Sequence, residues 1–236
     1  MTQRLVFLLR RRPELTREEF QHYWRTTHAP LVAARAETLG ILRYQQVHTV
    51  RDGRTVDVAS FDGVAELWTD GAAATGTIEE RIRGGQDLLE DERNFIDLGA
   101  SPLWYAEEAP LLVGPKEGLR MTAALRRAPG ITREQFSRHW RESHGPAALA
   151  DPDVWGFTSY TQLHTPGAAD DNPLRAARGA PPAFDGVSEI WLQAPTADSE
   201  RLAAVRAALL ADEPNFMDPA QSPTWFSQVH VIVDRT

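Results

Sequence analysis

The chain has 236 residues, 42% hydrophobic and 25% charged, with a net charge of −8. That length allows two compact domains of about 100 residues or one larger one, and the acidic balance, without a basic stripe, excludes nucleic acid as the expected partner. No apolar run approaches the roughly 20 residues of a membrane span, and the lack of cysteine excludes disulfides, thiol nucleophiles and thiolate metal sites.

Met1-Thr2-Gln3-Arg4 runs straight into a strand-like segment with no signal-peptide pattern, so a cytoplasmic location is the expectation. Leu5 to Leu9 is apolar and short, a first strand bounded by Arg10-Arg11-Arg12-Pro13. Thr16 with Glu19 three residues on predicts a capping box and the start of a helix. Phe20, Trp24 and His28 follow at intervals of four and share one face. Pro30 removes an amide donor and disfavours helical geometry at Ala29, which predicts a break or kink there, with Leu31 to Leu39 continuing as helix.

Ile41 to Thr49 reads as a second strand, with Tyr44, Gln46 and His48 on one face and Arg43, Gln45 and Val47 on the other. Asp52-Gly53 is a turn signal. Val64 to Trp68 is a third strand, with Val64, Glu66 and Trp68 opposite Ala65 and Leu67. Ala72 to Glu90 reads as a second helix, Asp91 to Pro102 as a loop and Leu103 to Leu112 as a fourth strand. The order βαββαβ is that of the ferredoxin-like split βαβ unit.

After a linker, residues 114–118, the same order resumes. Trp24-Arg25-x-x-His28-x-Pro30 returns as Trp140-Arg141-x-x-His144-x-Pro146, and Tyr44 to Thr49 returns as Tyr160 to Thr165, both at an offset of 116 residues. The second copy carries a longer Pro/Gly/Asp-rich loop from Thr165 to Ala183, after which Phe61-Asp62-Gly63 is matched by Phe184-Asp185-Gly186 at an offset of 123. Asp91 to Asp97 is then matched by Asp212 to Asp218, and Ser101-Pro102 by Ser222-Pro223. This repetition predicts a tandem duplication, one unit over 1–113 and the other over 119–236.

A ferredoxin-like unit covers one sheet face with helices and leaves the other bare. Two such units packed sheet to sheet would bury both bare faces, so the expected class is α+β, a pseudo-dimeric α/β barrel in one chain. Such a chain would act as a monomer or associate further as a homodimer. The mixed faces Tyr44/Gln46/His48 and Val64/Glu66/Trp68 suit a lined cavity, because buried polar groups need partners or water.

Trp24-x-x-x-His28-x-Pro30 after a capped helix, then Tyr44-x-x-x-His48, then Asn94-Phe95-x-Asp97, resemble the EthD-type branch of the dimeric α/β-barrel proteins. The second copy repeats the signature, so the resemblance covers nearly the whole chain twice. It implies a ferredoxin-like fold with a cavity between helices and sheet. It also implies relatives in ether or hydrocarbon degradation and polyketide tailoring, with dehydratase-like and lactone-isomerase-like activities. Related barrels include cofactor-free monooxygenases. The fusion of two units and the insertion at 166–183 depart from the pattern.

His28 and His144 are the first candidates for acid–base chemistry, since imidazole titrates near neutrality; the alternative is a histidine bonded to a carbonyl at a helix end. His48 and His164, with Tyr44 and Tyr160, form a second set. Residues four apart on a strand lie about 13 Å apart, so each pair would touch opposite ends of a substrate or simply decorate a polar strand face. Glu66 and Glu189, if inward, would have raised carboxyl pKa values; the alternative is a structural pair with an arginine such as Arg43 or Arg10. Trp24, Trp68, Trp140 and Trp191 fit packing better than chemistry but, with Gln46 and Gln162, are candidate substrate contacts. The acidic loops read as solvated faces or caps. His28, His48 and Glu66 could in principle hold a metal, although no close ligand spacing demands it. No cofactor motif is present, since Walker A, dinucleotide and nucleophile-elbow fingerprints are missing. The expected activity is a cofactor-independent dehydration, cyclisation or isomerisation of a small apolar carbonyl or phenolic substrate. The alternatives are a cofactor-free aromatic monooxygenase and a non-catalytic small-molecule-binding or stress-related protein.

Overall fold

The computed structural model describes residues 2–50, 61–193 and 199–236. The Asp52-Gly53 turn lies outside the described residues. The first half runs β1 (Gln3–Leu9), α1 (Arg17–Tyr23), a π-helical turn (Trp24–His28), α2 (Ala29–Leu39), β2 (Ile41–Thr49), β3 (Gly63–Thr69), α3 (Ile78–Glu92) and β4 (Leu103–Leu112). The second half runs β5 (Arg120–Leu125), α4 (Arg133–His139), a π-helical turn (Trp140–His144), α5 (Gly145–Ala148), α6 (Pro152–Trp155), β6 (Phe157–His164), α7 (Pro173–Arg178), β7 (Gly186–Leu192), α8 (Ser199–Asp212) and β8 (Thr224–Asp234).

All strands pair antiparallel in one closed barrel ordered β1-β3-β2-β8-β5-β7-β6-β4, with β4 returning to β1. The two halves are therefore joined edge to edge as well as face to face. β2 pairs with β8, for example Val47 with Val229. β4 pairs with β6, for example Ala109 with Gln162. Closure removes the exposed strand edges that four-stranded sheets would otherwise present.

Sequence dictates the helix starts. Thr16 accepts the Glu19 amide at 3.2 Å, while the Glu19 carboxylate accepts the Thr16 amide at 2.8 Å. Thr132 and Gln135 repeat this box in the second half. Of the break or kink expected at Ala29, the break does not occur, and the helix is instead locally widened. Ala29 is helical (φ −58°, ψ −48°), and its amide reaches back to the Trp24 carbonyl as a π-turn. The wider turn accommodates Pro30, which has no amide to give, without ending the helix. The second long helix starts at Ile78 rather than Ala72, because Thr77 and Glu80 form their own capping box.

The barrel interior has two layers. One is apolar and pseudo-symmetric, built from Leu8, Val47, Phe61, Val64 and Trp104 against Ala124, Leu163, Phe184, Val187 and Trp225. The Phe61 and Phe184 rings meet edge to face at 5.8 Å. The other layer is charged. Arg120 donates to Glu66 at 2.9 and 3.1 Å and to Glu189 at 3.1 Å. Arg4 reaches Glu189 at 2.5 Å and Glu66 at 3.2 Å. Arg4 and Arg120 occupy matching positions of the two copies, as do Glu66 and Glu189, so the cluster ties the halves together.

Candidate functional site

Sheet register divides the candidate residues into two groups. Gln45 pairs with Glu66 and Tyr44 with Leu67, and successive side chains alternate between faces. Glu66 and Trp68 therefore face the barrel interior, while Tyr44, Gln46 and His48 face the helices with Ala65 and Leu67. The two mixed faces do not line one cavity. The combination His28, His48 and Glu66 cannot gather around one ion, because Glu66 lies behind the sheet from both histidines. Among the described residues no group of three His, Cys, Asp or Glu side chains is arranged to hold a metal.

Both glutamates face inward and pair with arginines other than Arg43 and Arg10, and the raised pKa expected of an inward carboxyl is met at Glu189 but not at Glu66. Glu66 is engaged by Arg120, Arg4 and Gln45. Burial opposes its ionisation, yet Arg120 and Arg4 hold its carboxyl well below the usual carboxylate range. Burial raises Glu189, and the neighbouring Glu66 charge adds to this against the pull of Arg120 and Arg4. Arg43 and Arg10 instead lie over the Trp68 and Phe61 rings at 5.2 and 4.9 Å. Trp68 donates to Glu108 at 2.6 Å, and Trp191 is buried in register with Arg120.

On the helix side, Trp24 is the hub. Its indole N–H donates to the Tyr44 hydroxyl at 2.9 Å, and its carbonyl accepts from Gln46 at 2.8 Å. Gln46 also donates to the Tyr44 hydroxyl at 3.0 Å. With both amide hydrogens used, the Gln46 oxygen accepts from His48 Nε2 at 3.0 Å. The His48 ring stacks on Trp24 at 4.7 Å. Burial, with His230 and Arg25 nearby, pushes His48 down to about 3. The second half repeats the set with Trp140, Tyr160, Gln162 and His164, where burial and Arg141 push His164 down to about 4. Burial raises Tyr44 and Tyr160. Burial thus disfavours a charge on either histidine; His164 lines a smaller pocket of about 480 Å³ with Arg133, Ser137 and Arg141, while His48 is absent from the wall of the first half's cavity.

That cavity lies between the first half's sheet and its helices and measures about 680 Å³. Of the sequence candidates it brings together Trp24, His28 and Tyr44; leucines, isoleucines and Phe7 form half of the remaining wall. His28 Nδ1 is 2.7 Å from Asp91 Oδ2. Asp91 Oδ1 accepts from the Tyr23 hydroxyl at 2.7 Å, and Tyr23 in turn accepts from Asn94 at 3.3 Å. The His28 ring rests on Phe95 at 5.1 Å. Since a carboxylate only accepts, the neutral ring would carry its proton on Nδ1 and its lone pair on Nε2. In the second half His144 and His139 both approach Asp212, each at 2.9 Å. Burial lowers His144 against the opposing pull of Asp212.

Sequence reading therefore missed Asp91 and Asp212, which are partners of histidines and not solvated faces. Their signal was present, because Asp-Glu-x-Asn-Phe recurs in both copies beside the recurring His. A charge at a helix end so often just faces water that the recurrence alone does not single these carboxylates out. Glu92 and Arg178, also in the cavity wall, were missed as well. The Phe-Asp-Gly motifs are structural: Asp62 accepts the Arg11 amide and the Arg17 guanidinium, both at 3.0 Å. Asp185 does the same for Arg127 and Arg133.

A family profile described as EthD domain matches residues 12–99 and again 128–220. The chain belongs to the EthD domain family. No curated protein matches the chain at a significant level. Among solved structures, this EthD protein is similar to one with the provisional name monooxygenase from Fusobacterium nucleatum subsp. nucleatum. That match has 9% identity and a TM-score of 0.51 over 98% of this chain and 93% of the other. A second, with the provisional name chlorite dismutase, has 12% identity and a TM-score of 0.50 over 97% and 95% of the respective chains. At such identities the likeness speaks for the fold alone. No helix among the described residues of the EthD protein is long and apolar enough to cross a membrane.

Proposed function

We infer that the chain is a cofactor-independent enzyme that moves protons on an apolar carbonyl or phenolic substrate, giving dehydration, cyclisation or isomerisation. The observation that carries this reading is His28, held by Asp91 at 2.7 Å, in the wall of a largely apolar cavity of about 680 Å³. Asp91 fixes the tautomer and offsets the charge that His28 gains on taking a proton. Nε2 then serves as base toward an acidic C–H or O–H, and the imidazolium returns the proton elsewhere on the same substrate. An apolar wall favours the neutral carbonyl or phenol over water.

We also read each half, 1–113 and 119–236 with 114–118 between, as a ferredoxin-like unit, so that the closed barrel is a pseudo-dimer complete in one chain. Sedimentation that gave only higher oligomers would count against that.

The functional reading is tested by incubating the protein in D₂O with a panel of aryl 1,3-diketones and acylphenols, following deuterium uptake by NMR. Protein-dependent exchange that disappears in His28→Ala is expected. Exchange retained in that variant overturns the assignment, and oxygen uptake in place of exchange would favour a monooxygenase.

A further inference from the structure

The cavity has two unlike ends. α3 runs alongside it, and its fourteen steps of about 1.5 Å give a length of about 21 Å. Residues from both of its ends line the cavity: Ile78 and Ile82 near its start, and Glu92 at its finish. Ile78 and Ile82 are 75% and 56% exposed, among the most exposed large apolar side chains described. Isolated exposed apolar residues need no explanation, but two on one helix turn at a cavity rim mark an apolar mouth.

The other end is closed by the second half of the chain. The insertion that lengthens the second copy contains α7, which Asn172 caps by accepting the Leu174 amide at 2.9 Å and which Gly179 ends at φ 61°. Leu174, Ala177 and Arg178 of this helix line the first half's cavity. Arg178 grips Glu92 through two bonds of 2.6 and 2.7 Å, with side chains only 10% and 8% exposed. Asp91, the partner of His28, directly precedes Glu92, so the histidine and the ion pair lie at the same end of α3.

We propose that this cavity takes an elongated amphiphile head first. The oxygen-bearing head sits at the closed end, between His28 and the Arg178–Glu92 pair. The apolar tail lies along α3 and leaves past Ile78 and Ile82. α7, supplied by the opposite half, sets the depth, which makes Ala177 and Arg178 specificity-determining positions. This deepens the proton-transfer reading and rests on it for the choice of site, but it concerns binding and can fail separately.

The experiment measures binding of 4-alkylphenols with ethyl to octyl chains by calorimetry. Wild type should tighten about threefold to fourfold per methylene. Ile82→Asp, at the exposed mouth, should weaken the octyl compound at least tenfold and leave the ethyl compound within twofold. Ala177→Phe adds bulk at an exposed wall position of α7 and should shift the preferred chain shorter by two or more methylenes. Affinity independent of chain length, an Ile82→Asp effect equal for short and long chains, or an unchanged length preference in Ala177→Phe each overturns the proposal. Length-dependent binding together with exchange retained in His28→Ala would leave the binding mode standing and remove only the proton-transfer reading.

Discussion

His28 and Asp91 meet at 2.7 Å although 63 residues separate them in the chain. α1 and its π-turn deliver the histidine, and the last turn of α3 delivers the carboxylate. Asp91→Asn removes the charge that supports a protonated imidazole and leaves the size of the side chain unchanged. Proton exchange should fall about 10²-fold or more, within the range ascribed to positioned acid–base groups. Tyr23→Phe removes one hydrogen bond to Asp91 and should cost less, about tenfold. Asp212→Asn, in the other half, should leave exchange at the first cavity unchanged. Deuterium uptake rates for the three variants decide this, and equal rates for Asp91→Asn and wild type would remove the dyad from the mechanism.

The fold was legible because it is written twice. Capping boxes, strand alternation and the repeated Phe-Asp-Gly motif each point to the same element order, and the structure has it in the first copy and, with α7 added between β6 and β7 where a loop is expected, in the second. The faces were harder. Alternation tells which residues of a strand lie together, but not which set meets the helices. Of the polar set Tyr44/Gln46/His48, which reads as a cavity lining, only Tyr44 reaches the cavity wall, and the set is satisfied by the Trp24 indole and carbonyl. The barrel side instead holds a charge cluster whose arginines, Arg4 and Arg120, come from different halves and cannot be paired with Glu66 or Glu189 by sequence distance. The lid over the cavity was hidden for the same reason, because α7 closes a site belonging to the other copy.

His48 and His164 make stability depend on pH. Their folded pKa values are lowered to about 3 and about 4, against about 6.5 in an unfolded chain. Between those values the unfolded state binds more protons, so stability falls as the pH drops from about 6.5 toward 4 and is fully present above that window. His48→Gln with His164→Gln removes both titrations. Urea midpoints at pH 7 and pH 4.5 should differ less in the double variant than in wild type. An equal drop in both would assign the acid sensitivity to other groups.

The charged layer of the barrel should be costly to disturb from one side. Arg120→Met leaves Glu66 and Glu189 buried with one guanidinium fewer, a change expected to cost about 3–5 kcal/mol. Because Glu66 and Arg120 belong to different halves, the loss should appear in a single unfolding transition. Guanidinium titrations followed by circular dichroism would show it. Two separated transitions in wild type would mean that the cluster does not couple the halves.

Trp24 packs over a strand position that has no side chain. A methyl group on Gly63 would stand 2.5 Å from the Trp24 ring and 3.0 Å from the Val47 carbonyl, and one on Gly186 would stand 2.4 Å from the Trp140 ring. Neither neighbour yields easily, since the carbonyl is part of the sheet and Trp24 is pinned by Tyr44 on one side and His48 on the other. Gly63→Ala and Gly186→Ala should each cost about 1–3 kcal/mol, as over-packing of a filled core does. They should differ in function. Only Gly63→Ala displaces an indole that walls the first half's cavity, so it alone should weaken octylphenol binding. Calorimetry on both variants makes the comparison, with Gly186→Ala as the control for stability. Equal weakening by the two would mean that the first half's cavity is not the principal binding site.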